Sequence, residues 1–259
     1  MLIGLTESAR QYEARGYTPV RGALGQISFR RYGMPFAPAP KERLSATARA
    51  CRAVVAARIL DPGSEWAVFG ALQLANFTSP LLLDDDRQLE HVLRGVPGVD
   101  AARVVSLLDA PEVTEAYERD RAESRTAAGS PAELQEKTAS TDGIVRFTAP
   151  SVVFQRGDAT LVAGGFQPVE AYDVLIANLD PTLTRRPPPP TPGPLLERFR
   201  HGLTTQEIAA LMAVGNEPPD RVQAERALIE LAADGAATRV ALGDDALWLA
   251  PAAARALAA

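Results

Sequence analysis

The sequence predicts an α/β fold with a second, smaller domain, and three observations carry the prediction. Residues 144–163 have strand chemistry around a single proline, Pro150; residues 40–140 place apolar side chains at helical spacing; and residues 181–194 hold four consecutive prolines from Pro187. Strand-period, helix-period and linker signals in that order describe a sheet carrying a large helical block, then a boundary, then a new unit. With 259 residues, 46% hydrophobic and 23% charged, the chain has a globular composition and length enough for two cores.

Met1 to Leu5 reads as the end of a strand. Residues 19–40 carry Pro19, Pro35, Pro38 and Pro40 with Gly22, Gly25 and Gly33, which predicts an irregular loop tethered by Tyr32, Met34 and Phe36. Ser45 to Leu60 then places Ala48, Cys51, Val55 and Ile59 along one helical face, and Asp61-Pro62-Gly63 ends that helix. A second helix from Ser64 carries Trp66, Phe69, Leu72, Leu74 and Phe77. Asp84-Asp85-Asp86 precedes a third through Leu89, Val92 and Leu93, where carboxylates complement the helix dipole. A short helix ends near Leu108, and Pro111 opens a longer one through Val113, Ala116, Tyr117 and Asp120.

Strand chemistry follows: Ile144-Val145-Arg146-Phe147, then Pro150 to Phe154, a turn at Arg156-Gly157-Asp158, and Thr160-Leu161-Val162, which together predict a hairpin. A proline cannot donate to a sheet ladder, so Pro150 at the start of such a strand marks a special backbone, often a cis peptide. Gly164-Gly165 leads to a helix from Gln167 to Leu179 that is expected to bury Val169, Tyr172, Ile176 and Leu179. After the stiff polyproline run come a short helix at Leu195–Phe199, a capped start at Thr204-Thr205-Gln206-Glu207, a third helix from Pro218-Pro219-Asp220 with Ala224, Leu228 and Leu231 inward, and a two-stranded wing around Gly243-Asp244-Asp245.

The chemistry-bearing residues are sparse. Cys51 is the single cysteine, so a disulfide framework within the chain and a cysteine-rich metal site are excluded; on an apolar helix face it reads as a small buried hydrophobe. His91 and His201 are the only histidines and have no ligand spacing around them, so no metal and no cofactor is assigned. No Gly-x-Ser-x-Gly elbow is present. A net charge of −5 gives no field for phosphate backbones or anionic membranes, and residues 195–259 contain nine acidic residues against six arginines and no lysine. Neither a nucleic acid nor a membrane is an expected partner. The third helix of that segment shows Arg221, Glu225, Arg226 and Glu230, a mixed face suited to protein contacts. With no spanning segment and no secretory leader pattern, the expected location is cytoplasmic.

Tyr117-Glu118, Arg125 to Ser130, Thr148-Ala149-Pro150-Ser151-Val152-Val153-Phe154 and Gly164 to Tyr172, together with Arg49 to Val54 in the helical block, resemble the DsbA family of thioredoxin-fold disulfide oxidoreductases and dithiol-disulfide isomerases. The resemblance implies a thioredoxin-like mixed sheet over residues 1–180 with a helical insertion at about 40–140, then a Pro-rich linker at 181–194. The order helix, helix, helix, hairpin over 195–259 is that of a winged helix.

It also implies site residues. Pro150 would be the cis proline of the catalytic centre, and Ala149 would bind substrate by offering its backbone to an extended chain. The family's Cys-x-x-Cys helix has no counterpart in residues 1–16, and about 30 residues of strand, helix and strand would precede Met1 in a complete relative, judged from mean element lengths. The expectation is therefore a thiol-disulfide oxidoreductase by resemblance, inactive as written, acting on a protein dithiol, a disulfide or a small thiol, with a homodimer admissible. A glutathione-type isomerase or transferase of the same fold, and a non-catalytic protein-binding module, stay open beside it.

Overall fold

The computed structural model describes residues 1–37, 39–140, 143–215 and 217–258, without the side chains of Phe29 and of residues 256–258. Pro38, one of the prolines expected to shape the 19–40 loop, lies outside them. In chain order the elements are α1 (Ala9–Glu13), α2 (Pro19–Ile27), a 3₁₀ turn at Ser28–Tyr32, α3 (Ala48–Leu60), α4 (Glu65–Thr78), α5 (Asp86–Arg94), α6 (Ala101–Ser106), α7 (Pro111–Glu123) and α8 (Pro131–Leu134). Then come β1 (Thr138–Ala139), β2 (Arg146–Phe147), β3 (Val152–Arg156), β4 (Ala159–Ala163) and α9 (Val169–Leu179). The last are α10 (Gly193–Arg198), β5 (Leu203–Thr204), α11 (Thr205–Met212), α12 (Arg221–Ala233), β6 (Thr238–Leu242), β7 (Asp245–Leu249) and α13 (Pro251–Ala258).

This is a mixed α/β chain whose sheets are small, and among the described residues every strand pair is antiparallel: β1 with β2, β3 with β4, and a three-stranded sheet in the order β5-β7-β6. The chain divides into two compact units, one formed by Met1–Leu5 with Glu115–Pro187, the other by Thr6–Thr114 with Pro188–Ala259.

The larger unit holds most of the deep core. α3 packs on α4 and α6, and α5 on the same two helices, so Val54, Val55, Val68, Leu89, Leu93, Val104 and Leu108 are sealed from solvent. Asp85 and Asp100 cap α5 and α6 by accepting amide hydrogens of their first turns, the first as the run Asp84-Asp85-Asp86 predicted. The face expected on α3 is broader than the sequence implied: Ala53, Val54, Ala56 and Ala57 are buried beside Val55, whereas Ile59 is 41% exposed. A helix with neighbours on two sides buries more than one stripe. Trp66, one of the bulky side chains of α4, is 73% exposed.

The second core of this unit lies in its C-terminal part, where Leu195, Leu196, Ile208, Leu228 and Trp248 pack together. Residues 28–36 are strapped to the same part: Phe36 is buried, its amide donates to Asp244 Oδ1 at 2.8 Å, its carbonyl accepts from the Asp244 amide at 3.1 Å, and Arg30 pairs with Asp244 at 3.0 Å. Residues 19–32, expected as an irregular loop, are helical instead, because Thr18 caps the start by accepting from the Arg21 amide at 3.1 Å and Pro19 occupies the first turn, where no amide is needed.

The smaller unit has a modest core of Ala127, Ala132 and Phe147, with Val145, Val153 and Val162 packed against it. On α7, Tyr117 is fully buried and Asp120 nearly so. Met1–Leu5 forms no strand. Of the face expected inward on α9, Tyr172 and Leu179 are half-buried, while Val169 at 62% and Ile176 at 38% are exposed, and no side chain of the helix is fully buried.

Candidate functional site

Ala149 and Pro150 sit in the smaller unit at the start of the β3–β4 hairpin. The peptide bond between them is cis, and both residues are exposed. The hairpin runs in full register from Val152 opposite Ala163 to Arg156 opposite Ala159. Gly157 takes φ +56° in the connecting two-residue turn, the left-handed geometry that primed hairpin turns require.

Hydrogen bonds hold the segment before β3 in place. The Ser151 hydroxyl donates to the Thr148 carbonyl at 2.5 Å and accepts from the Gly165 amide at 2.9 Å, so one side chain joins the turn leading into β3 to the turn leaving β4. Thr148 donates in turn to the Lys137 carbonyl at 2.8 Å, and Gln167 donates to the Gly164 carbonyl at 2.7 Å. Gly164 is required by contact: a Cβ there would lie 2.6 Å from the Ala132 Cβ and 2.9 Å from its Cα. Thr148, Ser151 and Gly165, from the segments that the sequence singled out around Pro150 and Gly164-Gly165, are thus hydrogen-bonded together, a relation that spacing alone does not display.

α9 lies against both strands of the hairpin. Phe154 meets the Tyr172 ring with centroids 6.5 Å apart, and Arg156 pairs with Asp180 at 2.9 Å while donating to the Leu179 carbonyl at 3.1 Å. Hydrogen bonding from Thr182, then Arg156 nearby, holds the Asp180 carboxyl below the ordinary carboxylate range. On the other side of the hairpin, β4 and α9 border a shallow groove of about 370 Å³ whose walls are Val162, Ala163, Ala171, Val174 and Leu175, with Gln135, Gln167 and Glu170 at its margins. Sequence reading did not mark this groove: the face expected inward on α9 was Val169, Tyr172, Ile176 and Leu179, and the walls are formed by β4 and by other residues of the helix.

The backbone of the site is open. Ala149 makes no hydrogen bond among the described residues, and β3 has a sheet partner on one side only. An exposed strand edge beside an unengaged peptide group is a template for an added strand. The site carries no thiol: Cys51 is half-buried on α3 in the other unit, and among the described residues no three His, Cys, Asp or Glu side chains are arranged to hold a metal ion.

In the larger unit a polar cluster is centred on Arg221, which donates to the Gly33 carbonyl and pairs with Asp245 at 3.0 Å. Asp245 also accepts from Thr205 at 2.8 Å, and Trp248 Nε1 donates to the Thr205 hydroxyl at 3.0 Å. Every member has a partner within the unit, so this cluster holds the fold. A shallow cleft of about 180 Å³ between Arg30, Met34, Arg221 and Asp244 is the surface expression of that strap.

No protein-family model matches the chain, and no curated protein is significantly similar to it. No helix among the described residues is long and apolar enough to cross a membrane.

Proposed function

We propose that the protein is a DsbA-like, thioredoxin-type chain that engages extended polypeptide along the free edge of β3, with the Ala149 backbone supplying the first contacts. The observation that carries this reading is the one-sided pairing of β3 beside an exposed Ala149 whose amide and carbonyl are unengaged among the described residues. Added main-chain hydrogen bonds supply affinity in such a complex, and half-buried Val152, Val153 and Phe154 supply the apolar neighbours.

By resemblance the substrates are proteins with a dithiol or disulfide, or a small thiol. Reducing a disulfide takes two electrons: one thiolate attacks to form a mixed disulfide, and a second thiol displaces the substrate while the protein pair is oxidised. With Cys51 alone the chain can form at most the mixed disulfide, so repeated turnover requires a second thiol from another molecule. Pro150 is a positioning residue here.

The C-terminal segment is read as a winged helix. The order α10, β5, α11, α12, β6, β7 and the strand order β5-β7-β6 support that reading. Its acidic excess argues for protein contacts over phosphate contacts.

Hydrogen exchange tests the proposal on the whole chain. Adding reduced, alkylated insulin B chain as an unfolded probe is expected to slow amide exchange at residues 149–156, and insulin disulfides are expected to show no catalysed reduction by the chain. Efficient turnover, or protection confined to other segments, overturns it.

A further inference from the structure

The face that α12 turns to solvent is self-complementary. Val222 and Ile229 are 62% and 57% exposed, and Arg226, Glu230 and Ala233 are exposed alongside them. At 100° per residue these five positions share one side of the helix, Val222, Ile229 and Ala233 along its middle and Arg226 with Glu230 along one flank, with exposed Glu225 on the other flank, where an antiparallel two-fold sets the two copies of it well apart along the seam. Neither Arg226 nor Glu230 forms an ion pair among the described residues, not even with the other one turn away.

We propose that this face binds a second copy of itself, forming a two-fold dimer in which two α12 helices pack antiparallel. An axis through the middle of the helix, between Ala227 and Ile229, carries each residue to the same flank of its partner. Arg226 then meets the partner's Glu230 and Glu230 meets the partner's Arg226. Along the seam Ile229 lies beside the partner's Ile229, and Val222 beside the partner's Ala233, whose small side chain lets the helix ends approach. A parallel arrangement loses this pairing, and a partner of one charge sign satisfies only half the flank. Both ion pairs and the apolar seam therefore select the chain itself as occupant, in an isologous contact.

The inference is independent of the reading of β3. One pair of helices lies at the small end of stable interfaces, so the dimer is expected to dissociate in the micromolar range. Sedimentation velocity of the full chain from low to high micromolar concentration tests it. The wild type is expected to pass from monomer to dimer, Ile229→Glu to stay monomeric, and Arg226→Glu or Glu230→Arg alone to weaken the dimer by about tenfold or more, since each places like charges opposite one another. The double variant Arg226→Glu, Glu230→Arg is expected to restore association. A wild type that stays monomeric throughout, a dimer indifferent to these changes, or a double variant no better than the singles overturns the proposal. Far-UV circular dichroism confirms that each variant is folded.

Discussion

Lys41 is a half-buried cation in the larger unit, donating to the Leu81 carbonyl at 2.6 Å and to Asn76 Oδ1 at 3.2 Å. Burial lowers its pKa from 10.5 to about 8, and attraction from Asp84 only partly opposes that. Between the folded and unfolded values the unfolded chain binds more protons, so this group makes stability rise with pH across that window. Urea midpoints measured from pH 8 to pH 10 are expected to rise for the wild type relative to Lys41→Met, and a constant difference between the two would remove Lys41 as the cause. Asp84 is set the other way. Burial pushes its carboxyl up, but hydrogen bonds from Arg43 at 2.8 Å, the Ala46 amide at 2.9 Å and Ser45 at 3.1 Å hold it below the ordinary range. Its contribution to stability is therefore present above the unfolded carboxylate pKa and is lost as pH falls through the lower folded value. Neither network was legible in the sequence, because Lys41, Asn76 and Leu81 become neighbours only when α4 folds back.

Among the elements, α11 was the most legible. Thr204-Thr205-Gln206-Glu207 predicted a capped helix start, and the Thr204 hydroxyl accepts from the Glu207 amide at 3.2 Å while Glu207 Oε2 accepts from the Thr204 amide at 2.8 Å. Thr204→Ala is expected to cost about 1 kcal/mol, read from chemical denaturation, with Thr204→Ser recovering most of it. Such a cap involves four consecutive residues, so its partners are present in the sequence itself. α2 was harder, because Gly22 and Gly25 argue for a loop and only the cap at Thr18 with Pro19 outweighs them. α9 is the helix its period predicts, but of its expected inward face only Tyr172 and Leu179 are half-buried. Its apolar period is real, yet period names a face without naming what covers it.

Over the whole molecule, the two units differ in how much they bury. The larger has two deep clusters, one in α3 to α6 and one in α10 to β7; the smaller has three fully buried hydrophobics in its own cluster and a two-stranded hairpin under a helix with no buried side chain. Local opening follows the loss of buried apolar contacts. Native-state hydrogen exchange is therefore expected to show β3, β4 and α9 opening at lower free energy than α3 and α12, and equal protection across both units would contradict this. The same thin burial leaves the β3 edge available to a partner strand, and a two-stranded hairpin gains most from a third strand.

By itself the sequence determined what depends on neighbours along the chain: the carboxylates before α5, the cap at Thr204, the hairpin around Gly157, and the unusual backbone at Pro150. Caps, turns and proline geometry need a few consecutive residues and no distant partner. Tertiary structure alone decided which apolar faces are covered, how Ser151 joins Thr148 to Gly165, why Gly164 must lack a side chain beside Ala132, and how Asp244 and Asp245 receive residues 30–36. Those contacts join positions far apart in the chain, and their energy exists only once the intervening loops have closed.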